Sequence, residues 1–108
     1  MRRLERGDLV TALFFKDKPR PGVVVRADCY AQSENVTLCP VTSTLAGGPL
    51  RVRVNPGMSG LEQESEVIPY RITTLPENRI EEYIGRLSKS QLRELDGILR
   101  DWLDLVEQ

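Results

Sequence analysis

From Ser88 onward the hydrophobic period of this chain switches from two to 3.6, and that switch limits the possible folds more than any other feature. Leu92, Leu95, Ile98, Leu99, Trp102, Leu105 and Val106 recur at helical spacing, with Arg93, Glu94, Asp96, Arg100, Asp101, Asp104 and Glu107 on the opposite face. An apolar stripe of this kind has to be covered. Ser88 followed by Gln91 fits a capping box, in which the hydroxyl accepts from a backbone N–H three residues on and the Gln side chain reaches back. The sequence therefore predicts one amphipathic helix of about five turns over about 88–106, packed on its own domain, with a dimer contact through part of it as the alternative. Gly97 interrupts the stripe at about 1 kcal/mol against Ala, which points to a close contact that a side chain would block.

The preceding stretch, about 6–87, reads as short strands between turn signals. Residues 8–14 (DLVTALF) are rich in β-formers. Residues 22–28 (GVVVRAD) carry three consecutive valines, as in a strand buried on both faces. Residues 34–42 (ENVTLCPVT) and 82–87 (EYIGRL) are further candidates. In 50–54 (LRVRV) strict alternation puts the valines on one side and Arg51 and Arg53 on the other. Pro69 interrupts a β-prone run over 65–74, as at an edge or a bulge. Turn chemistry marks 16–21 (KDKPRP), 45–49 (LAGGP) and 55–60 (NPGMSG). The fold class expected is α+β, mainly β: a single domain over 1–108 built as a small antiparallel barrel with a terminal helix.

At 108 residues, 40% apolar and 29% charged, the chain can build one core without staples. No apolar run approaches the roughly 20 residues of a membrane span. The charged start MRRLERGD is unlike a signal peptide, so the expected compartment is the cytoplasm. Two cysteines and no histidine make a four-ligand metal site within one chain implausible, and no cofactor is expected. Cys29 and Cys39 both lie in apolar-flanked segments and read as buried thiols. Without histidine, acid–base chemistry falls to carboxylate, Arg, Tyr, Thr or Ser side chains. Net charge is −1, but residues 1–61 hold nine Lys/Arg against five Asp/Glu, while 62–108 hold six against eleven. That asymmetry would confine phosphate binding to one surface.

Several segments, in order, resemble the MazF/PemK/Kid family of toxins. They are Arg6-Gly7-Asp8, the strand opening Arg20-Pro21-Gly22 with Val23 to Val25, Pro40-Val41-Thr42-Ser43, Gly60-Leu61 followed by Ser65, the run from Arg71 to Leu75, and Ile84-Gly85-Arg86-Leu87-Ser88. The resemblance spans residues 6 to about 106. It implies an SH3-like barrel found as a homodimer, held inactive by a cognate antitoxin, touching DNA only through that antitoxin, and not associated with a membrane. It also implies cleavage of single-stranded RNA at short sequences without a metal. The ribose 2′-hydroxyl attacks phosphorus, leaving a 2′,3′-cyclic phosphate and a 5′-hydroxyl.

By motif, the resemblance puts catalysis on Arg20 and Thr42. A guanidinium binds two oxygens of a phosphorane at once, and a preorganised cation of this kind is worth several kcal/mol in the transition state. Thr42 offers a hydroxyl for a phosphate oxygen or a proton relay. Arg is too weak a base to take the 2′ proton, and Asp17 is a candidate carboxylate for that task. Lys16, Lys18, Ser43, Arg51, Arg53 and Arg71 are expected to contact RNA, mainly its phosphates, and Tyr70 to stack on a base or to pack. The Kid-like branch uses an Arg and an Asp of the penultimate strand and a loop His. The corresponding positions here are Ile68 and Tyr70, and there is no His. Two other functions stay open at this point: a non-enzymatic gyrase poison of the related CcdB type, or a family member that binds antitoxin without cleaving.

Overall fold

A computed structural model describes residues 3–15, 18–57 and 59–105. Seven strands precede one helix: β1 (Asp8–Ala12), β2 (Arg20–Val24), β3 (Asn35–Thr42), β4 (Val52–Val54), β5 (Ser65–Val67), β6 (Thr73–Pro76), β7 (Ile80–Arg86) and α1 (Lys89–Trp102). The strands form a curled antiparallel sheet in the order β4-β5-β3-β2-β1-β7. The eight-residue β3 carries the curl, because its far edge is shared. Its first half pairs with β6, Val36 opposite Leu75, and its last residues pair with β5, Val41 opposite Val67.

The run over 65–74 is thus two strands rather than one. Pro69 opens a 3-10 turn over Pro69–Arg71 that redirects the chain from one half of β3 to the other. A missing N–H ends the β5 ladder there. The strands expected at 22–28 and 50–54 are also shorter, ending at Val24 and beginning at Val52.

The valine triplet is buried on both faces. Val23 and Val25 join Leu9, Cys39, Val41, Val52 and Val54 under α1, while Val24 joins Val10, Ala12, Val36 and Leu38 in a second cluster on the opposite face. Alternation in β1 and β3 follows the same division. Leu95, Ile98 and Leu99 insert the helix stripe into the first cluster. Burying these side chains is worth about 1.5–3 kcal/mol each, so the helix is held by packing rather than by its own propensity.

Helix α1 starts where the capping box places it. Ser88 accepts from the Gln91 N–H at 3.1 Å, and the Gln91 side chain accepts from the Ser88 N–H at 2.9 Å. It ends a turn earlier than the apolar period implies. Asp104 takes a left-handed φ of 55°, and the Leu105 N–H donates to the Arg100 carbonyl at 2.9 Å while the Asp104 N–H donates to that of Asp101 at 3.2 Å. This is a Schellman closure with Asp in the place usually held by Gly. Val106 lies outside the described residues.

Two further expectations need correction. Gly97 meets no atom within 4 Å of an added Cβ, so no close contact requires it. The glycines that allow close approach are Gly60 and Gly85. A Cβ on Gly60 would collide with the backbone of Ile84, and one on Gly85 with the backbone of Ser59. The 59–61 loop therefore lies directly against β7. Cys29 is exposed in a short 3-10 turn, and only Cys39 is buried. Burial pushes the Cys39 thiol up to about 12, so it stays protonated in the core. Among the described residues no helix is long and apolar enough to cross a membrane.

Candidate active site

The Arg6-Gly7-Asp8 segment is a clamp and does not line the groove that holds Arg20 and Thr42. Gly7 takes a φ of 95°, its N–H donates to the Val24 carbonyl at 2.7 Å, and its carbonyl accepts from Leu87 at 2.9 Å. That turn aims Arg6 at α1, where its guanidinium forms a two-pronged pair with Asp96 at 3.1 and 2.6 Å. Asp8 is fully buried and accepts from the Glu5 N–H at 2.8 Å and from Arg86 at 3.1 Å. The clamp joins the start of the chain, the last strand and the helix.

With that frame closed, the opposite ends of β2 and β3 are free to form a site. Arg20 opens β2, opposite Ala12 of β1. Thr42 closes β3, opposite Glu66 of β5. The β2–β3 register pairs Gly22 with Pro40, and continuing it two residues outward brings Arg20 level with Thr42. Both residues line one groove of about 930 Å³, together with Ser43 and with Arg71 from the turn before β6. The turn at Pro69 is what brings Arg71 there. The Thr42 hydroxyl oxygen accepts from the Thr44 N–H at 3.0 Å, which orients the side chain and leaves its O–H able to donate.

The groove also holds residues that the sequence reading missed. Phe14 and Phe15 line it, the latter 71% exposed. The Phe14 ring lies over Gly22, where an added Cβ would come within 2.7 Å of it. That contact accounts for a small residue after Arg20-Pro21. Thr11, Thr73, Glu62 and Gln63 complete much of the polar lining. The Phe-Phe pair just before a Lys- and Pro-rich loop was the available signal. An exposed aromatic beside a basic loop is the pattern of a base-stacking platform.

Other candidate residues lie elsewhere. Lys18 is exposed but does not line the groove. Lys16 and Asp17 fall outside the described residues. Arg51, Arg53 and Tyr70 belong to a network centred on Glu66, which is 2% exposed. Arg51 donates to Glu66 at 3.0 Å and to the Tyr70 hydroxyl at 3.2 Å. Arg53 donates to Glu64 at 2.8 Å and to Glu66 at 3.3 Å. The Tyr70 ring packs against Trp102, with centroids 5.7 Å apart and planes tilted by 53°. The hydrogen bonds that Arg51 donates to Tyr70 and Glu66 push its guanidinium above its ordinary value. The Ala46 N–H above all, then Arg51, Gly47 and Arg53, holds the Glu66 carboxyl down at about 2 against the opposing effect of burial.

Glu66 is therefore ionised throughout the neutral range. No group of three His, Cys, Asp or Glu side chains that could hold a metal ion occurs among the described residues. What the groove offers chemically suits a phosphodiester: two guanidinium groups, Arg20 and Arg71, and several hydroxyls, Thr42 and Ser43 among them, supply charge and donors, and two phenyl rings line it beside them.

Comparisons with known proteins agree with this fold. Residues 5–103 match the family described as PemK-like, MazF-like toxin of type II toxin–antitoxin systems. A probable endoribonuclease MazF of Mycolicibacterium smegmatis is 29% identical over 108 aligned residues, covering 95% of this chain and 99% of the relative. Among solved structures, the Mycobacterium tuberculosis toxin MazF-mt6 superposes with a TM-score of 0.81 at 28% identity, over 94% of this chain and 100% of that one. A MazE–MazF structure from Deinococcus radiodurans gives a TM-score of 0.83 at 25% identity, over 98% and 100%.

Proposed function

The chain belongs to the family of PemK-like, MazF-like toxins of type II toxin–antitoxin systems, and from that membership we propose that it is a metal-independent endoribonuclease cutting single-stranded RNA at short sequences. The observation that carries this reading is the convergence of Arg20, Thr42, Ser43 and Arg71 on one groove flanked by Phe14 and Phe15. The scissile phosphate sits between Arg20 and Thr42. The 2′-hydroxyl gives its proton to solvent water as its oxygen attacks phosphorus, the bond to the 5′-oxygen breaks, and that oxygen takes a proton from water to leave as a 5′-hydroxyl, while the upstream fragment keeps a 2′,3′-cyclic phosphate. Arg20 neutralises the charge that builds on the non-bridging oxygens, and Thr42 donates to one of them. Arg71 and Ser43 hold flanking phosphates and sugars, and Phe15 stacks on an unpaired base.

The relative from Deinococcus was solved with MazE, and the same kind of partner is proposed here: a cognate antitoxin that occupies the groove, on a homodimer of this chain in the cytoplasm, with DNA met only through the antitoxin. The decisive experiment incubates the purified protein with mixed-sequence single-stranded RNA in EDTA and maps the fragment ends. Discrete cuts with 5′-hydroxyl ends, reduced about 10²–10³-fold in Arg20→Ala, are expected. RNA left intact at large protein excess would overturn the reading and favour a poison acting by protein contact.

A further inference from the structure

The 43–50 connection between β3 and β4 forms one wall of the groove at Ser43 and Thr44, yet residues 45–50 are all exposed and contribute nothing to the core. Gly47 and Gly48, both at positive φ, have open space around them. A segment without buried side chains lacks the usual source of order. Polar contacts from a neighbouring strand supply it.

Glu66, in the middle of β5 and directly opposite Thr42, reaches under this connection with both oxygens. Oε1 accepts from the Ala46 N–H at 2.9 Å, the Gly47 N–H at 3.2 Å and Arg51 at 3.0 Å. Oε2 accepts from the Gly47 N–H at 3.0 Å and Arg53 at 3.3 Å. Arg51 extends the grip by donating to the Thr44 carbonyl at 3.2 Å. Every partner is a donor, so the site needs a group that only accepts. A carboxylate meets that need, whereas an amide would turn an NH2 toward N–H donors.

We propose that Glu66 is a positioning residue for RNA cleavage, a buried carboxylate that pins the 43–50 connection and thereby sets the Thr42-Ser43-Thr44 wall of the groove. The inference rests on the endoribonuclease reading above and names a residue that touches no RNA. A displacement of about 1 Å at a reacting centre lowers turnover by roughly 100-fold, so loosening this wall acts on the chemical step more than on substrate affinity.

The test compares wild type with Glu66→Gln and with Arg51→Gln, which keeps the carboxylate but removes its link to Thr44. Three quantities are read: single-turnover cleavage at saturating RNA, binding of an uncleavable 2′-O-methyl oligonucleotide of the same sequence, and hydrogen exchange at the Ala46 and Gly47 amides. The expected pattern for Glu66→Gln is a cleavage rate down about 10- to 100-fold, analogue binding within about threefold of wild type, and lost protection at both amides. Arg51→Gln shows a weaker form of the same split. Cleavage unchanged in both variants, or cleavage and binding falling in proportion, would overturn the inference. Wild-type protein that cuts no RNA defeats the endoribonuclease reading instead. Unchanged amide protection in Glu66→Gln would then overturn the pinning of the 43–50 connection as well, and lost protection would uphold that pinning.

Discussion

Gly85→Ala and Gly97→Ala make the same chemical change with opposite expected signs. At Gly85, in β7 opposite Leu9, the added methyl is driven into the carbonyl of Ser59, closer than any van der Waals contact allows. The obstruction is backbone, so no side chain can swing away, and the 59–61 loop must lift from the strand. Overpacking of this kind typically destabilises by about 1–3 kcal/mol, and a backbone obstacle puts this case at the upper end. With roughly 4–8 °C per kcal/mol for a domain of this size, the expected loss is about 12–24 °C in Tm. At Gly97, inside α1, the methyl meets nothing, and Ala gains about 0.5–1 kcal/mol of helix propensity and reduced unfolded-state entropy. That converts to a rise of about 2–8 °C. The assay is thermal unfolding followed by circular dichroism, at one fixed protein concentration because association would shift Tm. A Gly85→Ala melt within about 3 °C of wild type would refute the claim that the loop and β7 are in backbone contact. A Gly97→Ala loss would show that the helix face there is covered after all. Because Gly60 and Leu61 line the groove, Gly85→Ala should also depress RNA cleavage beyond what its unfolded fraction explains.

Three further outcomes follow from other sites. The Glu66 carboxyl is held at about 2 when folded, against an ordinary value of 4.5. The stability it contributes is present in full above about pH 4.5 and is lost as pH falls from there toward about 2. Urea titrations should show an acid limb in that window that flattens in Glu66→Gln, and an identical limb in both proteins would contradict the assignment. The Arg6–Asp96 pair is two-pronged and only about a third exposed. Asp96→Asn should cost about 1–2 kcal/mol, and a double-mutant cycle with Arg6→Ala that finds no coupling would remove the clamp from the stability account. Ellman's reagent should titrate one thiol, Cys29, in the native protein and both in guanidinium. Reaction of Cys39 at a comparable native rate would contradict its burial.

Local order along the chain is enough to expose a good part of this molecule. Alternation and the valine triplet mark the central strands, because a side-chain period of two reports directly which faces are covered. Ser88 and Gln91 mark the helix start, because a capping box is made by residues three apart. Arg20 and Thr42 are legible through their ordered segments, and the strand register brings them to one groove. Residue identity could not say where that groove's remaining wall comes from. Arg71 reaches it because a single Pro splits one β-prone run into two strands with different partners along β3. Arg51 and Arg53 alternate with valines as solvent-facing cations would, and their sequence neighbours give no sign of the carboxylate fourteen positions or so away that they pair with.

Glu66 itself sits at the start of the β-prone run over 65–74, with nothing in its neighbours to mark it as buried, and it is buried because the connection after β3 folds back over it. The helix end was missed for a related reason: an Asp in left-handed geometry closes α1, and Asp tolerates that conformation without advertising it as Gly would. Period and capping are properties of residues a few positions apart, so the sequence by itself determined the central strands and the helix start, while Arg20 and Thr42 were marked by the family resemblance of their segments. Ion pairing, burial of a charge and the approach of two glycine backbones depend on segments brought together across the fold, and only the tertiary structure decided those.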